Sequence, residues 1–168
     1  MNASRPRLAI VSSHNICCAL AYYADALKQF LSPSFDVEIV DLKTSLLRSE
    51  GTRYEKLSAG YIDEICSSLR NFDIVNVHLE IGLYGTSLDL ILRRLLKICH
   101  SSGRLILTVH TIDYKGNDHT VVYHQIMNAL KTRPVSNPFH LIAHLPQEKA
   151  LLKQHFSFEN VSDFPLIY

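Results

Sequence analysis

The chain has 168 residues, an apolar content of 47% and a formal net charge of +1 at pH 7. This length predicts one domain, spanning 1–168, with a hydrophobic core of its own. The near-zero net charge gives no general attraction to nucleic acid, and the longest apolar runs are too short to span a bilayer.

The first half of the chain alternates between strand and helix patterns. Arg7–Ser12 is predicted as a buried strand, and a polar turn leads from it to a helix that ends near Leu31. A second strand over 35–40 alternates apolar and charged residues, which favours a place near a sheet edge. The charged segment 43–56 indicates a loop or a short irregular helix, and a helix follows over 58–69.

The second half continues the same alternation. It contains predicted strands over 73–78, 104–109 and 140–143, helices over 87–100, about 119–131 and from 146, a polar stretch over 113–118 and a final apolar run over 161–168. Because strands and helices alternate almost throughout, we expect an α/β fold: a doubly wound, mainly parallel, Rossmann-like sheet.

Two of the predicted strands end on a histidine. The strand that begins at Asp73 ends on His78, and the next strand is followed by His110 and then Thr111. The carboxyl ends of neighbouring parallel strands meet at one edge of the sheet, where open α/β folds bind ligands. We therefore expect His78 and His110 to share one site, although this placement does not say what the site binds.

Several segments resemble one enzyme family. The run DIVNVHLEIGLYG over 73–85, followed by LTVHT over 107–111, resembles the amino-terminal half of the retaining GT-B glycosyltransferases of family 4. Members of that family typically show DVVH…HE.GLFG and TLHT at these places. The segments over 19–27 and 141–152 are similar to the family's first helix and to its IVHS.E.K..L strand and helix. Phe164-Pro165 falls where the family has the proline that leads into its second domain.

The resemblance implies an acceptor-binding domain. In such enzymes two Rossmann-like domains face each other, and the carboxyl-terminal domain holds the nucleotide sugar. The expected partners are a sugar or glycolipid acceptor and a second domain or partner subunit, with no nucleic acid. No cofactor is expected on this domain alone, and a nucleotide-sugar donor is expected only with the second domain. The chain lacks that domain, so we expect it to be inactive alone.

Two departures from the family pattern concern the site, and the first of them, the missing glycines, favours a different function. Ser13-His14-Asn15 replaces the glycine pair that members often carry after the first strand, so close approach of the backbone to a donor phosphate is not expected. Leu79 occupies the place of the usual histidine before the glutamate. The alternative is a non-catalytic Rossmann-like module that binds carbohydrate or protein.

The resemblance, the strand ends and the first strand-to-helix turn together indicate candidate site residues. His110 is the candidate catalytic residue: as a neutral imidazole it would hydrogen-bond a sugar or acceptor hydroxyl. The alternative is a histidine that caps backbone carbonyls at the strand end. The candidate substrate-binding residues are His14, Asn15, His78, Glu80, Gly82 and Thr111. For Glu80 the alternative is an ion pair or cap that shapes the loop, and for His14 and Asn15 it is ordinary turn chemistry.

Three further expectations concern metal, membrane and compartment. None of the nine histidines has a compact metal-ligand spacing, so no metal is expected. Arg93, Arg94 and Lys97 form a basic strip that either meets anionic lipid or is a solvated helix face. The four cysteines favour reduced thiols, with the adjacent pair at 17 and 18 as small buried packing residues. No secretory signal is expected. The predicted location is cytoplasmic, with a peripheral position at the inner face of a membrane as an open alternative.

Overall fold

The computed structural model describes residues 4–112 and 118–165, except for the side chains of Asp118 and His119. The polar stretch predicted over 113–118 and the end of the apolar run at 166–168 therefore lie almost entirely outside the described residues. The strands are β1 (Arg7–Ser12), β2 (Asp36–Asp41), β3 (Ile74–Leu79), β4 (Leu105–Val109), β5 (Phe139–Ala143) and β6 (Val161–Asp163). They form one parallel sheet in the order β2-β1-β3-β4-β5-β6.

The helices of the described chain pack on both faces of this sheet. They are α1 (Ala19–Leu31), α2 (Thr44–Leu47), α3 (Thr52–Leu69), α4 (Leu88–His100), α5 (Asp118–Lys131) and α6 (Pro146–Phe156). Side chains alternate along each strand, so Leu8 and Ile10 of β1 face α1, where they pack with Tyr23 and Leu27. The other five helices pack against the opposite face in one large core. The fold is therefore α/β, doubly wound and Rossmann-like, as the sequence predicts.

The sheet positions agree with the hydrophobic patterns. β2, the strand with charged residues in alternation, lies at the edge of the sheet beside β1. β1, β3 and β4 lie in the interior, and β3 and β4 are paired in register from Val75 with Leu105 to Leu79 with Val109. Strands covered on both faces are mostly apolar, and the buried polar residues Asn76, His78 and Thr108 all lie on the face of the sheet that carries α1.

One helix boundary differs from the sequence prediction. α3 begins at Thr52 rather than Ser58, and α2 precedes it, so most of the segment predicted as a loop or a short irregular helix is helical. Gly51, with φ of 104°, lies immediately before α3. The first turns of α3 are exposed, so they carry no apolar stripe, and without that stripe the hydrophobic pattern could not reveal them.

The predicted basic strip on α4 is wrong in one member. Arg94 is 6% exposed and donates hydrogen bonds inside the protein, while Arg93 pairs with Asp89 and Lys97 pairs with Asp63. The reason is helical geometry: Arg94 lies one turn from Ile91 and from Ile98, on the apolar face. A cation at that position is buried by the neighbouring apolar residues.

The face of the sheet that carries α1 is only partly covered. The connections after β2, β3, β4 and β5 all pass over the opposite face, so α1 is the one helix on its own face in the described chain. On β4 and β5, Ile106 and Ile142 remain half-buried on this side. No helix in the described parts of the chain is long and apolar enough to cross a bilayer.

Candidate functional site

Three histidines lie together at the carboxyl edge of the sheet. His78 is near the end of β3, His110 follows β4 directly and His144 follows β5. The ring centroids of His78 and His110 are 4.8 Å apart, and those of His110 and His144 are 4.7 Å apart. We call these three residues the histidine cluster. The three residues come together because β3, β4 and β5 are parallel neighbours. Each of these strands ends at the same edge of the sheet with a histidine on the face that carries α1.

Tyr23 of α1 covers the histidine cluster. The centroid of its ring is 5.3 Å from the centroid of each of the three imidazoles, and the tyrosine is 3% exposed. Burial raises the pKa of the Tyr23 hydroxyl to about 12. The cluster is therefore closed on one side by an aromatic ring that stays neutral over the physiological pH range.

A chain of hydrogen bonds runs through two of the histidines. Nδ1 of His144 is 2.9 Å from the carbonyl oxygen of Phe164, and Nε2 of His144 is 3.1 Å from Nδ1 of His110. The remaining ring nitrogen of His110, Nε2, is buried and has no hydrogen-bond partner among the described residues. Both ring nitrogens of His78 are in the same condition. Buried polar atoms usually have partners, so three such nitrogens in one cluster are an unusual concentration.

Burial controls the charge of the cluster. It lowers the pKa of His110 from 6.5 to about 3, with a further contribution from His144. It lowers the pKa of the fully buried His78 well below its ordinary value, with His110 and His144 adding to the effect. A charged imidazole loses its hydration inside the protein, and neighbouring imidazoles provide no counter-charge. His78 and His110 are therefore neutral at pH 7.

Three other polar side chains on this face lie near the cluster. The hydroxyl of Thr108 donates a hydrogen bond of 2.8 Å to Oδ1 of Asn76, which satisfies the buried pair between β3 and β4. Ser12, the last residue of β1, is fully buried and its Oγ has no hydrogen-bond partner among the described residues. Val11 pairs with Val77 in the sheet, so Ser12 is level with His78. The row of polar groups thus extends across four strands.

A second feature lies where the strand order reverses, between β1 and β3. An open depression of about 360 Å³ is lined by residues that include Cys18, Arg48, Glu80 and Gly82. Ligands of doubly wound folds bind in the crevice at this switch point. Of the predicted binding residues, Glu80 and Gly82 line the depression. Thr111 donates a hydrogen bond of 3.1 Å to Oε2 of Glu80 and so joins the two loops that follow β3 and β4.

Buried side chains hold the loop after β3 in position. The hydroxyl of Tyr84 donates a hydrogen bond of 2.7 Å to the carbonyl oxygen of His78, and Arg94 donates to the carbonyl oxygen of Tyr84. Gly85 has φ of 145°, and a Cβ there would lie 2.7 Å from Nη1 of Arg94. The glycine is needed both for its backbone conformation and for the space that Arg94 occupies.

The turn after β1 is occupied by contacts within the protein. The backbone amide of His14 donates to Oδ1 of Asp41, and Nε2 of His14 lies 3.2 Å from Oδ1 of Asp25. Asn15 adopts φ of 55°, the left-handed conformation that asparagine tolerates. These are contacts of an ordinary turn, and neither His14 nor Asn15 belongs to the histidine cluster. Ligand binding by these two residues stays a prediction.

The cysteines after this turn correct one expectation. Cys17 is exposed rather than buried, and the Sγ of Cys18 accepts the backbone amide of Ala21 at 3.4 Å as the N-cap of α1. An N-cap residue must stay at the helix end with its side chain free to turn back, so it does not pack in the core.

An apolar cavity adjoins the histidine cluster. Its volume is about 190 Å³, and it lies between α1 and the partly covered sheet face. Tyr23 lines it at the end near the cluster, and most of its remaining wall is apolar, including Leu27, Phe30, Phe35, Ile106, Ile142 and Phe164. The rings of Phe30 and Phe164 approach each other across it, with centroids 6.3 Å apart. The Asn76–Thr108 pair at its floor is already satisfied, so the cavity favours hydrocarbon.

The cluster does not form a metal site in the described residues. No group of three or more histidine, cysteine, aspartate or glutamate side chains in those parts of the chain is arranged to hold a metal ion. Nε2 of His144, which a metal would need, faces Nδ1 of His110 instead.

The sequence signal missed two members of the site. His144 follows a predicted strand in the same way as His110, so the strand-end rule that selected His110 could have selected it too. Tyr23 shares the helical spacing of the core residues of α1, and no sequence pattern separates a core tyrosine from one that covers a ligand site.

Comparisons with known proteins do not assign the chain to a family. No protein-family model matches it, and a search of curated proteins finds no significant match.

Proposed function

We propose that this chain is the acceptor-binding half of a glycosyltransferase that uses a nucleotide-sugar donor, and that the histidine cluster binds a hydroxyl of the acceptor. The single observation that carries the proposal is that Nε2 of His110, buried at the carboxyl edge of a doubly wound sheet, has no hydrogen-bond partner among the described residues. An unpaired buried polar atom costs about 1–3 kcal/mol. A hydroxyl that bonds to this nitrogen would recover that free energy.

The neutral state of His110 fits this role. A protonated imidazole would only donate, whereas a neutral ring keeps one nitrogen that accepts a proton or a hydrogen bond. The low pKa of His110 keeps the ring neutral at physiological pH. Glu80 and Thr111, which are bonded to each other beside the depression, would orient further hydroxyls of the same acceptor.

Between the two acceptor classes, the apolar cavity favours a lipid-linked sugar. The cavity begins at Tyr23, which also contacts the histidine cluster, so a hydrocarbon chain could enter it while the sugar stays at the strand ends. An engineered apolar cavity of roughly 150 Å³ binds benzene, so about 190 Å³ accommodates several methylene groups. Such an acceptor would bring the protein to the membrane surface without a membrane-spanning helix.

We propose in addition that a second domain or partner subunit binds the donor, because the resemblance assigns the nucleotide sugar to the carboxyl-terminal domain of such enzymes. The location that we propose is cytoplasmic, at the inner face of a membrane when the acceptor is a lipid. The thiols support it: all four cysteines are free, including the exposed Cys17, as a reducing compartment allows.

The test is direct binding of glycosides to the chain. Histidine labelled with ¹⁵N allows the ring nitrogens to be followed by NMR during titration with a panel of methyl glycosides. We expect at least one glycoside to shift the resonances of His110 and His78, and His110→Ala to lose that binding. His100→Ala is the matched control, because His100 is exposed at the end of α4, away from the cluster. If no glycoside moves the His110 signals, the proposal is wrong.

One observation favours the alternative, a non-catalytic module that binds carbohydrate or protein. The turn after β1 is filled by His14 and its contacts with Asp25 and Asp41, and α1 is capped by Cys18. The turn also has no glycine, so the close backbone approach that a donor phosphate needs is not expected there. Sequencing the transcript past the codon for Tyr168 separates the two functions. A continuing frame that encodes a second Rossmann-like domain supports the transferase, and a stop codon supports the module.

A further inference from the structure

The hydrogen bonds through His144 have a defined direction. The carbonyl oxygen of Phe164 can only accept, so a neutral His144 carries its proton on Nδ1, the nitrogen 2.9 Å from that oxygen. Nε2 of His144 then has no proton, so it must accept a hydrogen bond from Nδ1 of His110, 3.1 Å away. A neutral His110 consequently carries its proton on Nδ1, and its Nε2 is left as a bare acceptor.

We propose that His144 is a positioning residue: together with the carbonyl oxygen of Phe164 it fixes the tautomer of His110, so that the Nε2 of His110 accepts a hydrogen bond from a ligand donor. The inference rests on the proposed function only for the identity of the donor as an acceptor hydroxyl. It also predicts a ligand preference: Nε2 of His110 favours ligands that present a hydrogen-bond donor to it and disfavours those that present a carbonyl or ether oxygen.

The opposite direction is unfavourable for the neutral pair. If His110 carried its proton on Nε2, its bare Nδ1 would need a proton on Nε2 of His144. The bare Nδ1 of His144 would then lie 2.9 Å from the lone pairs of the Phe164 oxygen. Two acceptors at that distance repel each other, and neither has water to replace the lost bond. The carbonyl oxygen of Phe164 therefore determines, through the ring of His144, which nitrogen of His110 carries the proton.

The hydrogen bonds from His110 to His144 also provide a path for a proton that leaves the ligand. When a ligand hydroxyl transfers its proton to Nε2 of His110, the proton on Nδ1 of His110 moves to Nε2 of His144. His110 remains neutral, and His144 becomes an imidazolium whose Nδ1–H still bonds to the Phe164 oxygen. The ligand oxygen keeps the electron pair of the broken O–H bond and uses it in the bond that it forms to the anomeric carbon of the nucleotide sugar. The bond from that carbon to the phosphate oxygen breaks, and the nucleoside diphosphate leaves with the electron pair of that bond. The donor in this step is the nucleotide sugar of the proposed function, held by the second domain.

Charged and titratable groups from three elements surround the pair. Tyr23 of α1 faces both rings, and His78 of β3 faces His110. From α6, Oε2 of Glu148 accepts the backbone amide of His144 at 3.1 Å. Tyr23 and His78 are neutral at pH 7. Among these contacts only Glu148 carries a charge, and it lies beside His144, the residue that would hold the transferred proton.

The tautomers can be measured directly in the chain itself. Long-range ¹H–¹⁵N correlation spectra of ¹⁵N-histidine-labelled protein at pH 7.5 distinguish a protonated ring nitrogen from a bare one. We expect both His110 and His144 to carry the proton on Nδ1. The opposite tautomer at His110, with its proton on Nε2, would overturn the inference whatever the ligand-binding result.

Variants at residue 144 separate positioning from packing. His144→Phe removes the acceptor, and we expect His110 to change to the Nε2–H tautomer that free histidine side chains favour. His144→Gln places an amide oxygen near the position of Nε2, and we expect it to restore the Nδ1–H tautomer. His140→Phe is the matched control: His140 lies on β5 and bonds to Ser162, outside the chain of hydrogen bonds.

The outcomes distinguish this inference from the proposed function. An unchanged His110 tautomer in folded His144→Phe contradicts the positioning role. If that variant does not fold, the wild-type tautomer together with His144→Gln still decides the question. A correct tautomer in a chain that binds no glycoside supports the inference and contradicts the proposed function.

Discussion

Nη1 of Arg94 donates a hydrogen bond of 2.6 Å to the carbonyl oxygen of Tyr84 and one of 2.8 Å to the carbonyl oxygen of Leu47. Tyr84 in turn donates through its hydroxyl to the carbonyl oxygen of His78. One buried cation on α4 is thus connected, through one tyrosine, to the strand that carries the histidine cluster. The loop between β3 and α4 has its position because of these buried bonds.

The first prediction concerns that cation. Arg94→Met keeps the apolar stem of the side chain but leaves the carbonyl oxygens of Leu47 and Tyr84 without a donor. Because each buried unpaired group costs about 1–3 kcal/mol, we expect the free energy of unfolding in urea to fall by about 3 kcal/mol. Arg93→Ala, at the adjacent exposed position, should change it by at most about 0.5 kcal/mol. Equal losses in the two variants would contradict the role of Arg94.

The second prediction concerns the glycines of the same loop. Gly85→Ala places a Cβ 2.7 Å from Nη1 of Arg94 on a residue with φ of 145°. We expect a loss of unfolding free energy of about 2 kcal/mol or more, since strained backbone alone costs about 1–3 kcal/mol. At Gly82 an added Cβ meets no atom within 4 Å, and no positive φ is required. Gly82→Ala should therefore be nearly neutral, and similar losses at both positions would refute the argument.

The third prediction concerns pH. The pKa of His110 in the folded protein is about 3, below its ordinary value of 6.5, because of burial and the nearby His144. Below pH 6.5 the unfolded chain binds a proton that the folded chain does not, so stability falls as pH decreases from 6.5 towards 3. Between pH 6.5 and pH 5 the contribution of His110 is about 2 kcal/mol. His78, shifted in the same direction, adds to the slope.

Urea unfolding at several pH values checks this dependence. We expect His110→Gln to have a shallower loss of stability between pH 6.5 and pH 5 than the wild type. His100→Gln, which changes an exposed histidine, should keep the wild-type slope. An unchanged slope in His110→Gln would show that His110 is not the buried neutral group described here.

The fourth prediction tests the apolar cavity. Hexyl β-glucoside should bind more tightly than methyl β-glucoside, because burial of one methylene group contributes about 0.8 kcal/mol, or roughly fourfold in affinity. Ile142→Phe fills part of the cavity and should remove the gain of the hexyl chain without weakening the methyl glucoside. Val135→Phe, at an exposed turn residue, is the control. A hexyl gain that survives in Ile142→Phe would place the alkyl chain elsewhere.

The strand-end histidines show how far the sequence reaches into the site. A run of apolar residues that stops at a polar one indicates where a buried strand leaves the core, and this rule selected His78 and His110, whose rings lie 4.8 Å apart. The same rule could have marked His144 as a third strand-end histidine, but it could not show that His144 is the hydrogen-bond partner of His110. That partner, His144, is adjacent only because β5 pairs with β4, and strand order depends on how the helices between the strands pack.

Arg94 shows the opposite limit. Its charge led the sequence interpretation to place it on the solvated side of α4, although its spacing from Ile91 and Ile98 fits the apolar side. A buried arginine is stable only when carbonyl oxygens meet its donors, and these come from Leu47 and Tyr84 on separate segments. A local sequence pattern does not show which distant carbonyl oxygens will accept the hydrogen bonds of a buried arginine.

The sequence by itself determined the alternation of strands and helices, the edge position of β2 and the delivery of two histidines to the ends of neighbouring strands. These features follow from local hydrophobic periodicity, which each segment carries independently of the others. Only the tertiary structure decided the direction of the hydrogen bonds from Phe164 through His144 to His110, the burial of Arg94 and the cavity beside Tyr23. These depend on distances between residues far apart in the chain, and such distances arise only when the segments pack together.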